Sequence, residues 1–238
     1  KWHQGFYSKA HIPTAHGFDT FFGFYDGGES YFTHITPFSV WGKGAPYFWT
    51  PSGNASSSSW ESLVDLSNET SESGPNAATH RLNGTFSIDM SRDEAVRLIH
   101  AHPDPSIPFF MYLAFHGVHT PLEAPEQYVI PYLNKIADRD RRILGAMVSA
   151  VDEAVGAVVD ALRQKGMWSN TLIILSTDNG GPVCHEPKLS AQHTEKIVAG
   201  CGTNNYPLRG SKMTYWQGGV RGIGFVSGPV VPERARGF

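Results

Sequence analysis

Four short stretches carry the side chains suited to chemistry. K-W-H sets Lys1 and His3 two residues apart, and H-G-V-H-T-P holds His116 and His119. T-D-N-G-G places Asp178 beside Asn179, and N-N-Y-P-L-R-G-S-K-M-T-Y-W-Q-G-G-V-R-G carries Arg209, Lys212 and Arg221 among glycines. Asp and Asn offer hard oxygens, which suit Ca²⁺ or Mg²⁺ better than a soft metal. Lysines and arginines on a glycine-rich stretch can hold a small oxyanion, and a histidine can move a proton near neutral pH. Each stretch also has a plainer reading. D-N-G-G is good turn chemistry, and a basic loop is most simply a solvated one.

These groups need elements to position them. The run F-F-M-Y-L-A-F at 109–115 is continuous, apolar and bounded by Pro and Gly, as in a strand buried on both faces. T-L-I-I-L-S-T at 171–177 is a second such run, and G-I-G-F-V-S-G-P at 222–229 a short third. Between the first two, residues 138–165 repeat apolar side chains at helical spacing: Ile143, Leu144, Met147, Val148, Val151, Val155, Val158, Val159 and Leu162. Gly166 ends that helix. An earlier helix is expected to start near Ser91, where Ser91 and Glu94 form a capping-box pattern, and to end at Pro103, Pro105 and Pro108. Strand, helix and strand with so long a crossover read as a parallel βαβ unit. The fold class is therefore α/β, a mostly parallel sheet flanked by helices. Ligands of such sheets bind beyond the carboxyl ends of the strands. That rule brings His116, His119, Asp178 and Asn179 to one edge.

The chain has 238 residues, 40% hydrophobic and 17% charged, with a net charge of −3. That is enough to bury a sizeable core. The balance excludes a general nucleic-acid binder, which needs a basic stripe, and no apolar run is long enough for a membrane-spanning helix. Residues 1–50 read as loops and short strands. Residues 51–87 are rich in Ser and Asn and read as a polar surface excursion. Three N-x-[ST] acceptors, Asn54, Asn68 and Asn83, lie in or at the end of that stretch. With two cysteines, Cys184 and Cys201, in no C-x-x-C spacing, they point to a lysosomal or secreted glycoprotein. In such a compartment Cys184 and Cys201 are expected to pair, closing a loop worth roughly 3 kcal/mol.

In order along the chain, K-W-H-Q-G-F-Y-S-K-A-H-I-P-T-A-H-G-F-D-T-F-F-G-F, H-G-V-H-T-P-L-E-A-P-E-Q-Y, L-S-T-D-N-G-G and the glycine-rich basic stretch resemble successive segments of the type I sulfatases. The likeness is nearest to the arylsulfatase B, or N-acetylgalactosamine-4-sulfatase-like, subgroup. It implies a sulfatase/alkaline-phosphatase-like fold and a sulfuric ester hydrolase acting on aryl sulfates or sulfated glycosaminoglycans. By resemblance, Lys1 and His3 contact a formylglycine nucleophile and Lys1 also reaches the sulfate. His119 touches the sulfate and the leaving oxygen, Lys212 clamps the sulfate, and Asp178 and Asn179 bind Ca²⁺. His116 has no counterpart and is read as structural or as supporting its neighbours.

The sequence also departs from the family. Its nucleophile is made from a Cys in C-x-P-S-R by the formylglycine-generating enzyme, and neither Cys184 nor Cys201 has that context. The family's paired Asp-Asp ligands are missing too. Residues 1–238 are therefore read as a partial sulfatase catalytic domain without its N-terminal nucleophile segment and C-terminal subdomain. Residues 182–203 are read as an insertion loop. The chain alone is expected to be inactive. The alternative is a sulfatase-like secreted glycoprotein with a binding or structural role. A phosphatase or phosphodiesterase of the same superfamily is a weaker third reading, since such sites use two close metals and more histidines.

Overall fold

The structure is a computed structural model, and it describes residues 1–36, 63–64, 67–70, 74–77, 82–183 and 202–237. Cys184, Cys201 and Asn54 lie outside the described residues. After two 3₁₀ turns come strands β1 (Thr20–Gly23) and β2 (Ile35–Thr36). Strands β3 (Leu63–Val64), β4 (Ser67–Thr70) and β5 (Gly74–Ala77) follow. Then come helices α1 (Ser87–Ala101), α2 (Glu126–Val129) and α3 (Arg139–Gln164). Strand β6 (Ile173–Ser176), the one-turn helix α4 (Gln217–Val220) and β7 (Gly224–Ser227) complete the order.

β4 lies between β1 and β5, β2 pairs with β3, and β6 pairs with β7. Every ladder among the described residues is antiparallel. The expected parallel unit between 109–115 and 171–177 is therefore not formed as a ladder there. Residues 109–115 carry no strand assignment, because no described segment supplies a row of backbone partners. Their side chains alternate all the same: Phe109 and Met111 pack with Ile173 against the α1/α3 core, while Phe110 and Tyr112 are exposed. One face is thus open where burial on both was expected. The polar stretch 51–87 also differs from a simple excursion, since β4 and β5 extend the sheet begun by β1. The segment 222–229 does form a strand, β7.

Helix α1 begins one turn earlier than Ser91. Ser91 Oγ donates to the Ser87 carbonyl at 2.9 Å, so this serine bonds backward inside the helix and does not cap it. Glu94 pairs with Arg97 instead of closing a capping box. Helix α3 starts and ends as its sequence predicts. Asp138 caps it by accepting from Arg141 N at 2.7 Å, and Gly166 follows it with φ +77°. Its deepest face is Ala146, Met147, Ala150, Ala154, Ala161 and Leu162, whereas Val148 is exposed. The alanines let α1 pack close, and the valines flank the contact. One core joins Tyr31, Phe86, Ile88 and Tyr128 to the first half of α3. A second joins Ile99 and Met167 to its last turns and reaches β6.

Candidate active site

Lys1 and His3 are held by backbone pairing. Trp2 N and His3 N donate to the carbonyls of Phe24 and Tyr25, each at 2.9 Å, and the Lys1 main-chain nitrogen donates to Ala114 O at 3.0 Å. Lys1 thereby joins the end of the 109–115 run. His3 has φ +48°, a left-handed conformation that a non-glycine residue adopts at a cost of order 1 kcal/mol. Its ring lies over Gly27, where a Cβ would stand 2.8 Å from His3 Nε2. A Cβ on Gly28 would stand 3.1 Å from His119 Nδ1. The loop D-G-G at 26–28 therefore passes close beneath both histidines.

His119 is fixed at three points. Tyr31, fully buried, accepts from His119 N at 2.9 Å through its hydroxyl, and that hydroxyl faces the carbonyls of His119 and His116 at 2.9 and 3.1 Å. The ring places Nδ1 2.7 Å from Thr120 O and Nε2 3.0 Å from Lys212 Nζ. The network assigns the tautomer: Nδ1–H donates to Thr120 O, and Nε2 accepts from Lys212. Burial, then the Lys212 cation, pushes the imidazole down to about 4, so it is neutral at pH 7. His116 belongs to the core. It is buried, stacks on the Tyr31 ring at 3.8 Å and lies 3.2 Å from Ser87 Oγ. Burial holds its pKa well below the ordinary histidine value.

Asp178 and Asn179 follow β6 on an exposed loop, with Asn179 Nδ2 donating to Asp178 Oδ1 at 2.7 Å. The two glycines behind them are not there for a left-handed turn. A Cβ on Gly180 would overlap the Gly218 carbonyl, and one on Gly181 would stand 2.6 Å from Thr203 Cβ. They are small because the stretch 203–219 presses against them. Lys212 N donates to Gly181 O at 3.0 Å, Gly180 N donates to Gly219 O at 3.0 Å, and Asn205 bonds Gly181 on both sides.

Electrostatics gathers these groups. Burial lowers the pKa of Lys212, with Asp178 opposing. Burial and then Lys212 lower that of Lys1, with Asp178 and Asp26 opposing. His3 is lowered by burial and by Lys1, again against Asp26 and Asp178. Lys1, His3, His119, Asp178 and Lys212 thus lie within reach of one another's charge. Arg209 is stacked on Trp216 at 3.7 Å and, like Arg221, is not among the charges that act on this group. The sequence reading missed Asp26, Tyr31 and Asn205. For Asp26 a signal existed in the D-G-G triplet, since paired glycines mark a close approach as well as a turn.

A carboxylate and an amide side by side fit a hard cation in kind. Among the described residues no group of three or more His, Cys, Asp or Glu gathers into a metal cluster.

Two partly buried lysines, a neutral histidine and a hard-oxygen pair lie on one group of loops. Residues 1–231 match the Sulfatase family model, and the chain belongs to the sulfatase family. It is 37% identical over 234 residues to arylsulfatase J of Mus musculus, covering 98% of this chain and 32% of that protein. It is 28% identical to N-acetylgalactosamine-6-sulfatase of Rattus norvegicus over 222 residues, covering 93% of this chain and 34% of that one. The crystal structure of Ps i-CgsB superposes with a TM-score of 0.68 at 29% identity, over 96% of this chain and 43% of that chain. Ps i-CgsB has also been solved in complex with k-i-k-neocarrahexaose. The chain spans about a third of the length of these curated relatives.

Proposed function

We propose that the full-length protein carrying this chain hydrolyses sulfate esters, with a sulfated carbohydrate as substrate and aryl sulfates as surrogates. The observation that carries the reading is the 3.0 Å contact between Lys212 Nζ and His119 Nε2, set within reach of Asp178 and Lys1. A sulfate monoester entering this cluster meets two cations aimed at its oxygens, and charge developing in the transition state is held by the same groups. An anion there also offsets the Lys212 charge, which adds to burial in holding His119 neutral. His119 Nε2 can then carry a proton and pass it to the leaving oxygen. Asp178 and Asn179 are the residues that would hold a Ca²⁺ ion, which would add positive charge against the sulfuryl oxygens. His3 and Lys1 would face the family's formylglycine, made by the formylglycine-generating enzyme from a Cys that this sequence does not contain in its C-x-P-S-R setting.

The arylsulfatase B likeness favours N-acetylgalactosamine 4-sulfate among carbohydrate substrates, and lysosomal or secreted placement follows from the sequons. Asn68 and Asn83 are exposed, as glycan acceptors must be. The Cys184–Cys201 disulfide belongs to the same proposal. The test is hydrolysis of a chromogenic aryl sulfate by the full-length protein. Lys212→Ala is expected to lower kcat/KM by about 10²–10³-fold, the loss seen when one transition-state donor is removed. Unchanged turnover in that variant overturns the reading.

A further inference from the structure

The metal-ligand candidates and the sulfate-holding lysine sit on different segments, 178–181 and 209–212, far apart in sequence. One side chain ties them. Asn205 Oδ1 accepts from Gly181 N at 3.2 Å, and Asn205 Nδ2 donates to Gly181 O at 2.8 Å and to Gly210 O at 3.1 Å. The Gly181 carbonyl also accepts from Lys212 N at 3.0 Å, so it is the junction between the two loops. Asn205 is half-buried, and all three of its partners are main-chain atoms. An amide is the one neutral side chain that offers an acceptor and two donors from a single short stem. Lysine has no acceptor for Gly181 N, and serine has a single proton to donate, so neither could make all three bonds. The bare Gly180 and Gly181 leave the loops touching, so a shift of one is passed to the other.

We propose that Asn205 is a positioning residue that locks the Asp178-Asn179 loop to the Lys212 loop, so that cation ligands and sulfate clamp are set as one unit. This rests on the sulfatase reading above. Its adjacent twin, Asn204, supplies the comparison: among the described residues Asn204 Oδ1 accepts from Tyr206 N, two residues on, at 2.9 Å, and joins no second loop. Outer partners that orient metal ligands typically cost 10–100-fold in metal affinity or activity when removed.

The experiment is calorimetric titration of the full-length protein with Ca²⁺ alone, alongside aryl sulfate turnover and the denaturant midpoint in saturating Ca²⁺. Asn205→Ala is expected to weaken Ca²⁺ binding about 10–100-fold and to lower kcat with it, and Asn204→Ala to leave both within twofold. Should Asn205→Ala fail to fold, Asn205→Asp serves. It keeps the Gly181 N–H bond and the shape of the side chain, but sets a carboxylate oxygen against two carbonyls, so affinity and kcat are again expected to fall. Ca²⁺ affinity and kcat unchanged in the Asn205 variant, with wild type active, overturn the inference and leave the sulfatase reading standing. Equal losses in Asn204→Ala and Asn205→Ala also overturn it, because they assign the effect to the loop in general. A wild-type protein that neither binds Ca²⁺ nor hydrolyses the sulfate overturns the reading itself.

Discussion

His119 is a histidine kept neutral. Burial and Lys212 hold it at about 4, against 6.5 in the absence of a perturbing environment. Between those two values the unfolded chain binds a proton that the folded site refuses, so the folded state loses stability as pH falls. The contribution is intact above about pH 6.5 and is lost progressively toward pH 4. His116, buried and shifted the same way, adds to the effect. The denaturant midpoint of the full-length protein is expected to drop between pH 7 and pH 4.5, and His119→Gln to make that drop shallower. Gly27 gives a second test at this scale. The three atoms nearest to a Cβ there all belong to the His3 ring, Nε2 at 2.8 Å, Cε1 at 3.0 Å and Cδ2 at 3.4 Å, and none is backbone. Gly27→Ala is therefore expected to move the His3 ring and lower kcat several-fold while leaving the unfolding midpoint nearly unchanged. Charge and imidazole stand out in short glycine- and proline-flanked stretches and drew attention to Lys1, His3, His116, His119, Asp178, Arg209, Lys212 and Arg221; the resemblance to sulfatases narrowed these to Lys1, His3, His119, Asp178 with Asn179, and Lys212. Tyr31 and Asn205 stayed hidden. Their work is done by a phenol and an amide bonded to main-chain atoms up to 88 residues away, and nothing in local spacing reports such bonds.

Helix α3 was the most legible element because period and stop agree: apolar residues at helical spacing and Gly166 after them, while the Asp138 cap went unread. Its N-cap bond, 2.7 Å from Asp138 to Arg141 N, is expected to be worth about 1 kcal/mol, read as a lower denaturant midpoint in Asp138→Ala with an unchanged slope. The start of α1 was misread since Ser91 and Glu94 satisfy the capping pattern equally well from inside a helix, one bonding Ser87 O and the other Arg97. Which residues of α3 lie deepest was also hidden. Hydropathy favours the valines, but close approach of α1 selects Ala146, Ala150 and Ala154. The strand reading placed His119 and Asp178 together by assuming a parallel ladder between their strands. The structure brings them within reach of each other by another route, through the Lys212 loop, which contacts His119 and bonds Gly181 just beyond Asp178.

At the scale of the whole molecule, the same alternation that builds the core leaves a face without a partner among the described residues. Ile173, Phe109 and Met111 turn toward α1 and α3. Their neighbours Ile174, Phe110 and Tyr112 turn away and are 70%, 79% and 66% exposed, and Ile223 and Phe225 on the β7 side are 73% and 51% exposed. Exposed apolar side chains gathered beside open strand edges are an association hazard. The curated relatives are about three times as long as this chain, so there is ample polypeptide in that family to cover such a face. The 238-residue chain produced alone is therefore expected to bind a hydrophobic dye strongly and to self-associate. It is also expected to bind Ca²⁺ weakly, since Asp178 and Asn179 supply too few oxygens for an ion that takes six to eight. Aryl sulfate turnover should be at background, because neither Cys184 nor Cys201 lies in C-x-P-S-R. The full-length protein should reverse all of these properties together: silent toward the dye, monodisperse, binding Ca²⁺ and turning over sulfate. A monodisperse 238-residue chain whose aryl sulfate turnover is abolished by Asp178→Ala would defeat this account, for it would show a complete site with a different nucleophile.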